Sequence, residues 1–204
     1  MLHLVTIEPN TLGLLKNLMA RPHLDKFFLV GGTALALQMG HRKSIDLDLF
    51  ILEDFDQEIL LKQLQTEFEV NVRSSSPSIF ITEIDSIKVD FVRHRYLLQY
   101  PMLIIEGVRM PDIKDIAPMK LDAVTKRGSK KDFYDIYFIL QQMTLPEMLD
   151  LYNNKYKLST MFHIIKSLTY FDDAEQDIQP IAFDKKVTWL KVKRFIQKSV
   201  QALY

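Results

Sequence analysis

Cysteine is absent from the 204 residues, and this absence excludes disulfides and thiolate metal sites. It fits a reducing compartment, so we expect a cytoplasmic protein. No apolar run approaches the ~20 residues that a membrane-spanning helix needs, because charged residues interrupt each long run. The first ten residues lack a basic segment followed by an apolar one, so we expect no signal peptide and no membrane partner.

An excess of charge of one sign is also lacking, since 26 basic residues balance 26 acidic ones. Contact with nucleic acid must therefore come from a local patch and not from a global field. The predicted helix from Lys185 to Gln201 is such a patch, with six basic residues and no acidic one. A solvated charged face is the commoner meaning of a run of this kind.

The hydrophobic patterning predicts an α+β protein, with a mixed α/β first half and a helical second half. We place the boundary at residue 110, so that 1–110 form the core and 111–204 a helical C-terminal region. The predicted elements are helices over Thr11–Ala20, Thr33–Met39 and Phe55–Phe68, strands over Phe27–Val30, Ile45–Leu52, Glu69–Arg73, Ile79–Ile84 and Ile87–Val92, and later helices over 112–126 and 131–142. Asp85-Ser86 is predicted to form a hairpin turn.

The most informative stretch is a glycine pair followed by two alternating aspartates. Gly31-Gly32 ends an apolar strand and precedes a helix, an arrangement in which backbone N–H groups can approach a phosphate. Asp46 and Asp48 share one strand face and could hold Mg²⁺. Each signal is weak alone, because glycine also serves tight turns for steric reasons and alternating carboxylates also line exposed edge strands.

A third carboxylate, Asp90, lies in the run Ile87-Lys88-Val89-Asp90-Phe91 and shares its face with Lys88. If this strand pairs beside the strand of Asp46 and Asp48, the three carboxylates could share two Mg²⁺ ions, as in two-metal phosphoryl transfer. The alternative is a lone surface aspartate.

A second cluster follows on two consecutive predicted helices. Lys120 and Arg127 are seven residues apart and lie on one helical face, while Asp132 and Asp135 are three apart on the next helix. This arrangement could be a structural salt bridge, or a lysine that neutralises a triphosphate and is held in place by the aspartates. The spacing does not decide between them.

These blocks together resemble the AbiEii/AbiGii-type nucleotidyltransferase toxins, a branch of the polymerase-beta-like nucleotidyltransferase superfamily. The family's motif of a glycine turn leading to Arg-x-Ser-x-Asp-x-Asp is matched in this chain, and so is its later Met-Lys block followed by a basic-Asp-x-x-Asp segment. The matching residues are Gly31, Gly32, Arg42, Ser44, Asp46, Asp48, Met119, Lys120, Arg127, Lys131, Asp132 and Asp135. Four separated blocks in the right order make the match specific.

The resemblance implies a polymerase-beta-like mixed sheet with flanking helices and a helical C-terminal region. It also implies Mg²⁺-dependent transfer of a nucleoside monophosphate from NTP, by the toxin of a toxin–antitoxin (abortive infection) pair that acts on the tRNA 3′ end and is opposed by an antitoxin. The implied catalytic residues are Asp46, Asp48, Asp90, Lys120 and Asp132, with the first three as metal ligands. The implied nucleotide-binding residues are Gly31, Gly32, Thr33, Arg42, Ser44, Lys120 and Arg127.

The chain departs from the family pattern at two positions. Thr33 stands where serine is frequent, and Lys131 stands where arginine is frequent. The motifs define the NTP donor and not the acceptor, so transfer to a small molecule or to a protein hydroxyl is the first alternative. A non-catalytic nucleotide-fold protein that binds a partner is the second. The retention of Asp46, Asp48, Lys120 and Asp132 argues against the second alternative.

Overall fold

A computed structural model describes residues 1–157 and 160–204, and their contacts form two compact units. The first unit contains Met1–Gly40 and Ser44–Pro111, and the second contains His41–Lys43 and Asp112–Tyr204. The functional division expected at residue 110 stays a prediction, because contact density reports packing and not the role of each part.

The first unit is built on a five-stranded mixed sheet, as the sequence predicts. Its strands are β1 (Phe28–Leu29), β2 (Leu47–Ile51), β3 (Val70–Ser76), β4 (Ile79–Ile84) and β5 (Ile87–Arg93), in the spatial order β1-β2-β5-β4-β3. Strands β2 and β5 run parallel, and the other neighbours are antiparallel. The period-2 pattern buries Leu47, Leu49, Val89 and Phe91.

Three helices accompany this sheet, α1 (Pro9–Met19), α2 (Gly31–Met39) and α3 (Gln57–Leu64). Helix α1 begins with a proline, whose fixed φ suits a first turn, and α3 begins after Asp56, whose side chain accepts from two backbone N–H groups. Helix α2 ends at Gly40 in the left-handed conformation. It connects β1 to β2, so the glycine pair and the two aspartates lie on neighbouring parts of the chain.

The structure corrects two sequence predictions in this unit. Strand β2 begins at Leu47 and not at Ile45, so Asp46 precedes the strand, and Ile45, predicted to be its first residue, is 64% exposed. A further hairpin, β6 (Leu103–Ile105) and β7 (Val108–Met110), was not predicted at all. Its three-residue strands are too short to show a period.

The second unit is helical, with α4 (Ile113–Lys126), α5 (Lys130–Ile139), α6 (Leu145–Tyr156), α7 (Phe162–Thr169), α8 (Asp172–Glu175) and α9 (Trp189–Gln201). Asp112 caps α4, as predicted. The basic helix was predicted to start at Lys185, but α9 starts at Trp189, and Lys185 and Lys186 precede it. No helix in the described residues is both long and apolar enough to cross a membrane.

A short extended segment completes the second unit. Arg42 forms an isolated antiparallel bridge with Ala182, and hydrogen bonds at His41 and Lys43 flank it, at 3.0 Å and 2.9 Å. Residues 41–43, which lie between α2 and β2 in the sequence, therefore pack with the C-terminal helices.

Candidate active site

The glycine turn lies directly against the second aspartate. Gly31 has a φ of +69°, a left-handed conformation that favours glycine, and an ideal Cβ built on it would lie 2.1 Å from Asp48 Oδ2. The backbone N–H of Val30 donates to the carbonyl of Asp48 at 2.8 Å. The steric reason for this glycine is thus the Asp48 carboxylate itself.

Asp48 and Asp90 are direct neighbours across two parallel strands. The register pairs Asp48 with Asp90, and paired strands lie about 4.8 Å apart. The conditional prediction that β5 pairs beside the strand of Asp48 is confirmed. Asp90 is largely buried, with a side chain 15% exposed. Among the described residues, its buried Oδ1 atom has no hydrogen-bond partner.

Lys88 joins these carboxylates on the same strand face. Its Nζ atom donates to Asp90 Oδ2 at 2.7 Å. Burial lowers the pKa of Lys88, but the hydrogen bond to Asp90 and the charges of Asp90, Asp46 and Asp48 outweigh it and leave the pKa raised. This ammonium group therefore lies in the field of three carboxylates. The sequence placed Lys88 on this face but gave it no role.

The oxygen chemistry of this cluster fits a hard divalent cation. Carboxylate oxygens are preferred ligands of Mg²⁺, and Asp90 offers a buried oxygen without a donor from the described residues. Across residues 1–157 and 160–204, however, no three or more His, Cys, Asp or Glu side chains are grouped closely enough to hold a metal ion. The assignment of Asp46, Asp48 and Asp90 as metal ligands stays a prediction, and Lys88 binds Asp90 within the cluster.

The Thr33 hydroxyl connects helix α2 to the segment before β2. Thr33 is buried, and its Oγ1 atom lies 2.8 Å from Ser44 Oγ and within hydrogen-bond distance of the Asp46 carbonyl. The backbone N–H of Ser44 donates to the carbonyl of Thr6 at 2.8 Å. These contacts position Asp46. Thr33 and Ser44 therefore have a structural role, and their contacts with NTP stay a prediction.

The second unit contains a buried ionic cluster centred on Lys120. This lysine is 4% exposed, and its Nζ atom lies 2.6 Å from Asp135 Oδ2 and 3.2 Å from Asp132 Oδ1. Arg127 binds Asp132 through two nitrogens, at 2.7 Å and 2.9 Å. Lys120 on α4 and Arg127, the residue after this helix, thus pair with carboxylates on α5, and the predicted pairing is present as an ion-pair network.

Arg42 and His41 complete this cluster from the extended segment. The Arg42 guanidinium is buried and binds Asp135 through Nε at 2.6 Å and through a terminal nitrogen at 2.9 Å. His41 Nε2 lies 2.8 Å from Asp135 Oδ1. With its guanidinium on Asp135, Arg42 would influence a nucleotide through Asp135 and Lys120, and the direct contact that the family match implies stays a prediction.

The electrostatics of the cluster keep its carboxylates ionised. Burial raises the pKa of Asp132, but Lys120, Arg127 and the Ser129 hydroxyl outweigh it and lower this pKa to about 2. The pKa of Asp135 is lowered well below its usual value despite burial, chiefly by Arg42 and Lys120.

The pKa values of the basic side chains in this cluster are also shifted. Burial lowers the pKa of Lys120, but the charges of Asp135 and Asp132 outweigh it and leave the pKa raised. Burial also lowers the pKa of His41, so this ring is neutral near pH 7. The cations Lys120, Arg42 and Arg127 thus face the carboxylates of Asp132 and Asp135.

Sequence reasoning missed two members of these clusters, His41 and Ser129, and also the central position of Asp135. The central position of Asp135 and the contribution of His41 depend on contacts across 93 or 94 residues, so no local pattern reveals them. Ser129 could have been found, because it is the residue before α5 and lies three positions from Asp132, where its hydroxyl donates at 2.6 Å.

The mixed sheet and the paired aspartates beside a glycine turn define a nucleotidyltransferase. The family model for the nucleotidyl transferase AbiEii toxin, of a type IV toxin–antitoxin system, matches residues 13–195. The chain belongs to this family, and the resemblance inferred from its motifs is confirmed.

Individual relatives agree with this assignment. An uncharacterized protein from Aquifex aeolicus is 36% identical over 183 residues, which cover 87% of each chain. The crystal structure of JHP933 from Helicobacter pylori is similar with a TM-score of 0.55 at 18% identity, over 97% of this chain and 94% of that one. MenT4, a nucleotidyltransferase toxin from Mycobacterium tuberculosis, is similar with a TM-score of 0.56 at 16% identity, over 88% of this chain and 76% of that one. At these identities the two structures show a shared fold.

Proposed function

We propose that the protein transfers a nucleoside monophosphate from NTP to the 3′ end of an RNA acceptor, a tRNA, in a reaction that requires Mg²⁺. We place this activity in the cytoplasm, under the control of a cognate antitoxin. The observation that carries the proposal is the position of Asp48, whose carboxylate packs on Gly31 and pairs in register with Asp90.

The proposed reaction is an in-line displacement at the α-phosphorus of the NTP. A bond forms between the acceptor 3′ oxygen and this phosphorus, and the bond from phosphorus to the bridging oxygen of the leaving pyrophosphate breaks. Asp46, Asp48 and Asp90 are the residues that would hold Mg²⁺, which when bound supplies positive charge to the phosphate oxygens. Gly31-Gly32 would let the backbone approach the phosphates.

The ionic cluster of the second unit supports binding of the triphosphate. Its aspartates hold Lys120 in one place, and a phosphate oxygen would be a further anionic partner for its cations. A charge-assisted contact to phosphate is strongest when the cation is positioned in advance. This fixed position of Lys120 favours the triphosphate interpretation.

The acceptor assignment depends on helix α9. Val192, Ile196 and Val200 form its buried stripe, and three basic residues at i, i+3 and i+7 share an exposed face: Lys191, Arg194 and Lys198. Lys193 is less available, because its Nζ atom lies 2.5 Å from Glu175 Oε1. An exposed row of cations suits the backbone of a single-stranded RNA end.

The test is incubation of the purified protein with total RNA and each α-labelled NTP in Mg²⁺. We expect label on RNA of tRNA size, and we expect Asp48→Ala to reduce it by a factor of at least about 10² while the fold persists. Asp54→Ala is the matched control, because this exposed aspartate makes a surface pair with Arg93 and lies outside the site.

Other distributions of the label would overturn parts of the proposal. Label on the protein itself or on a small molecule would replace the RNA acceptor and retain the chemistry. Full transfer activity in a folded Asp48→Ala variant would refute the site. A complete lack of transfer to RNA, protein and small molecules would support the non-catalytic alternative.

A further inference from the structure

Lys88 lies among the carboxylates that the proposed function assigns to the metal, and the inference drawn here rests on that proposed function. The parallel register pairs Leu47 with Val89 and Asp48 with Asp90. Because side chains alternate along a strand, Lys88 shares the face of Asp90, and Asp46 stands beside it one residue before the first pair. Asp48 on β2 and Asp46 just before this strand thus border the ammonium of Lys88 and the carboxylate of Asp90 on β5.

The neighbours of Lys88 on the other side do not compete for it. Strand β4 places Glu83 opposite Lys88 and Ile81 opposite Asp90. Glu83 is ion-paired with Arg73, so its charge is already compensated. The hydrogen bond of 2.7 Å therefore directs the Lys88 ammonium to Asp90.

The charge of this group favours a movable lysine. Asp46, Asp48 and Asp90 carry three formal negative charges, so Lys88 and a divalent cation are attracted to the same carboxylates. A cation bound at Asp90 would repel an ammonium that stayed in place. The Lys88 side chain is 48% exposed, so it can turn into solvent at little cost.

We propose that Lys88 is an internal counter-ion of the carboxylate site, which competes with the divalent metal for Asp90 and so sets the metal affinity of the protein. In the absence of metal, Lys88 reduces the repulsion among the carboxylates and stabilises the first unit. When metal binds, the Lys88–Asp90 ion pair opens. The lysine thereby restrains metal binding, and with it transfer, when divalent cations are scarce.

The experiment measures Mn²⁺ affinity by electron paramagnetic resonance on the full chain, without nucleotide. We expect Lys88→Met to bind Mn²⁺ at least about tenfold more tightly than the wild type, because a positive charge a few ångströms from the ion is removed. Lys88→Arg should retain the wild-type affinity. Lys62→Met is the matched control, since Lys62 is an exposed lysine on α3 of the same unit, and it should change nothing.

Thermal unfolding at low ionic strength gives a second readout. In the presence of a chelator, we expect Lys88→Met to unfold at a lower temperature than the wild type, and Mg²⁺ should close this difference. In an Asp90→Asn background, Lys88→Met should bring a smaller gain in Mn²⁺ affinity than in the wild type, because the carboxylate for which lysine and metal compete is gone and only the repulsion between ammonium and ion is relieved. Lys88→Gln replaces Lys88→Met if the latter fails to fold.

The outcomes separate this inference from the proposed function. If the wild type binds Mn²⁺ and Asp48→Ala abolishes binding, but Lys88→Met and Lys88→Gln bind no more tightly than the wild type, the counter-ion role is refuted and the metal site stands. If neither the wild type nor the Lys88 variants bind Mn²⁺, the metal site is refuted and the counter-ion role with it.

Discussion

The Asp48 carboxylate occupies the space in which a side chain at Gly31 would have to lie, since a Cβ there would meet Asp48 Oδ2 at 2.1 Å. This contact ties the glycine turn to the strand that carries the aspartate. The turn and the carboxylate therefore form one rigid structure, and a change in either displaces the other.

Gly31→Ala tests this coupling. The left-handed φ of +69° costs a non-glycine residue about 1–2 kcal/mol, and the new methyl group would displace the Asp48 carboxylate. We expect reduced stability in urea unfolding and a loss of transfer similar to that of Asp48→Ala. Gly13→Ala is the control, because a Cβ at this position within α1 meets no atom of the described residues within 4 Å, and we expect a gain of about 0.5–1 kcal/mol. Normal transfer by Gly31→Ala would show that the contact has no functional weight.

Lys120→Met tests the role of the buried lysine, because it keeps the apolar stem and removes the ammonium. We expect a folded protein whose affinity for NTP, measured by calorimetry, falls at least about tenfold through the loss of a charged contact to phosphate. Lys155→Met is the matched control, since Lys155 is equally buried and pairs with Asp115 elsewhere in the same unit. If both variants lose stability alone and keep their NTP affinity, Lys120 is structural.

Arg42→Ala tests whether this arginine acts on the nucleotide directly or through Asp135. Loss of the two contacts to Asp135 leaves a buried carboxylate with fewer counter-charges, so we expect a stability loss of about 3 kcal/mol in urea unfolding. Arg73→Ala, which removes an exposed pair with Glu83, should cost less than about 1 kcal/mol. Unchanged stability combined with weaker NTP binding would indicate direct contact.

The pKa of Asp132 predicts acid sensitivity. Because this pKa is about 2 in the folded protein and near 3.8 when unfolded, the folded state gains about 2 kcal/mol above pH 4 and loses it as the pH falls to 2. Asp132→Asn lacks this titration, so its stability deficit against the wild type should shrink by about that amount between pH 5 and pH 2. Urea unfolding over this range measures it. A deficit for Asp132→Asn that stays constant with pH would contradict the low pKa.

The exposed face of α9 predicts how RNA binding depends on salt. If Lys191, Arg194 and Lys198 each neutralise one phosphate, their joint replacement by alanine should lower the slope of log K against log salt by about 2. Filter binding of tRNA at several salt concentrations measures this slope, and NTP affinity should not change. Lys193→Ala should have a smaller effect, because Glu175 already pairs with Lys193. An unchanged slope in the triple variant would reduce this face to a solvated surface.

Much of the sheet could be predicted from the sequence because strand burial is a local pattern. Leu47, Leu49, Val89 and Phe91 alternate with polar residues, and the structure buries all four. The turn at Asp85-Ser86 was also predicted, and both residues adopt positive φ. The β6–β7 hairpin was not predicted, because its strands are short and Glu106-Gly107 was the only turn signal.

The candidate site divides in the same way between local and distant relationships. Lys120, Arg127 and Asp132 lie within thirteen residues of one another, so helical spacing could predict their contacts. Arg42 and Asp135 are 93 residues apart. Only the folded chain shows that the arginine of the first family motif binds a carboxylate of the later one. Lys88 was visible on the right face, but its charge mattered only once the strand register was known.

Residues 41–43 have a consequence for dividing the protein into fragments. The C-terminal piece released by a cut after Pro111 would lack His41 and Arg42, both partners of Asp135. Such a piece would have to recover those partners from the N-terminal piece, as in fragment complementation. The two units are therefore interlaced in sequence. A single crossover in the gene could not exchange one unit as an independent module.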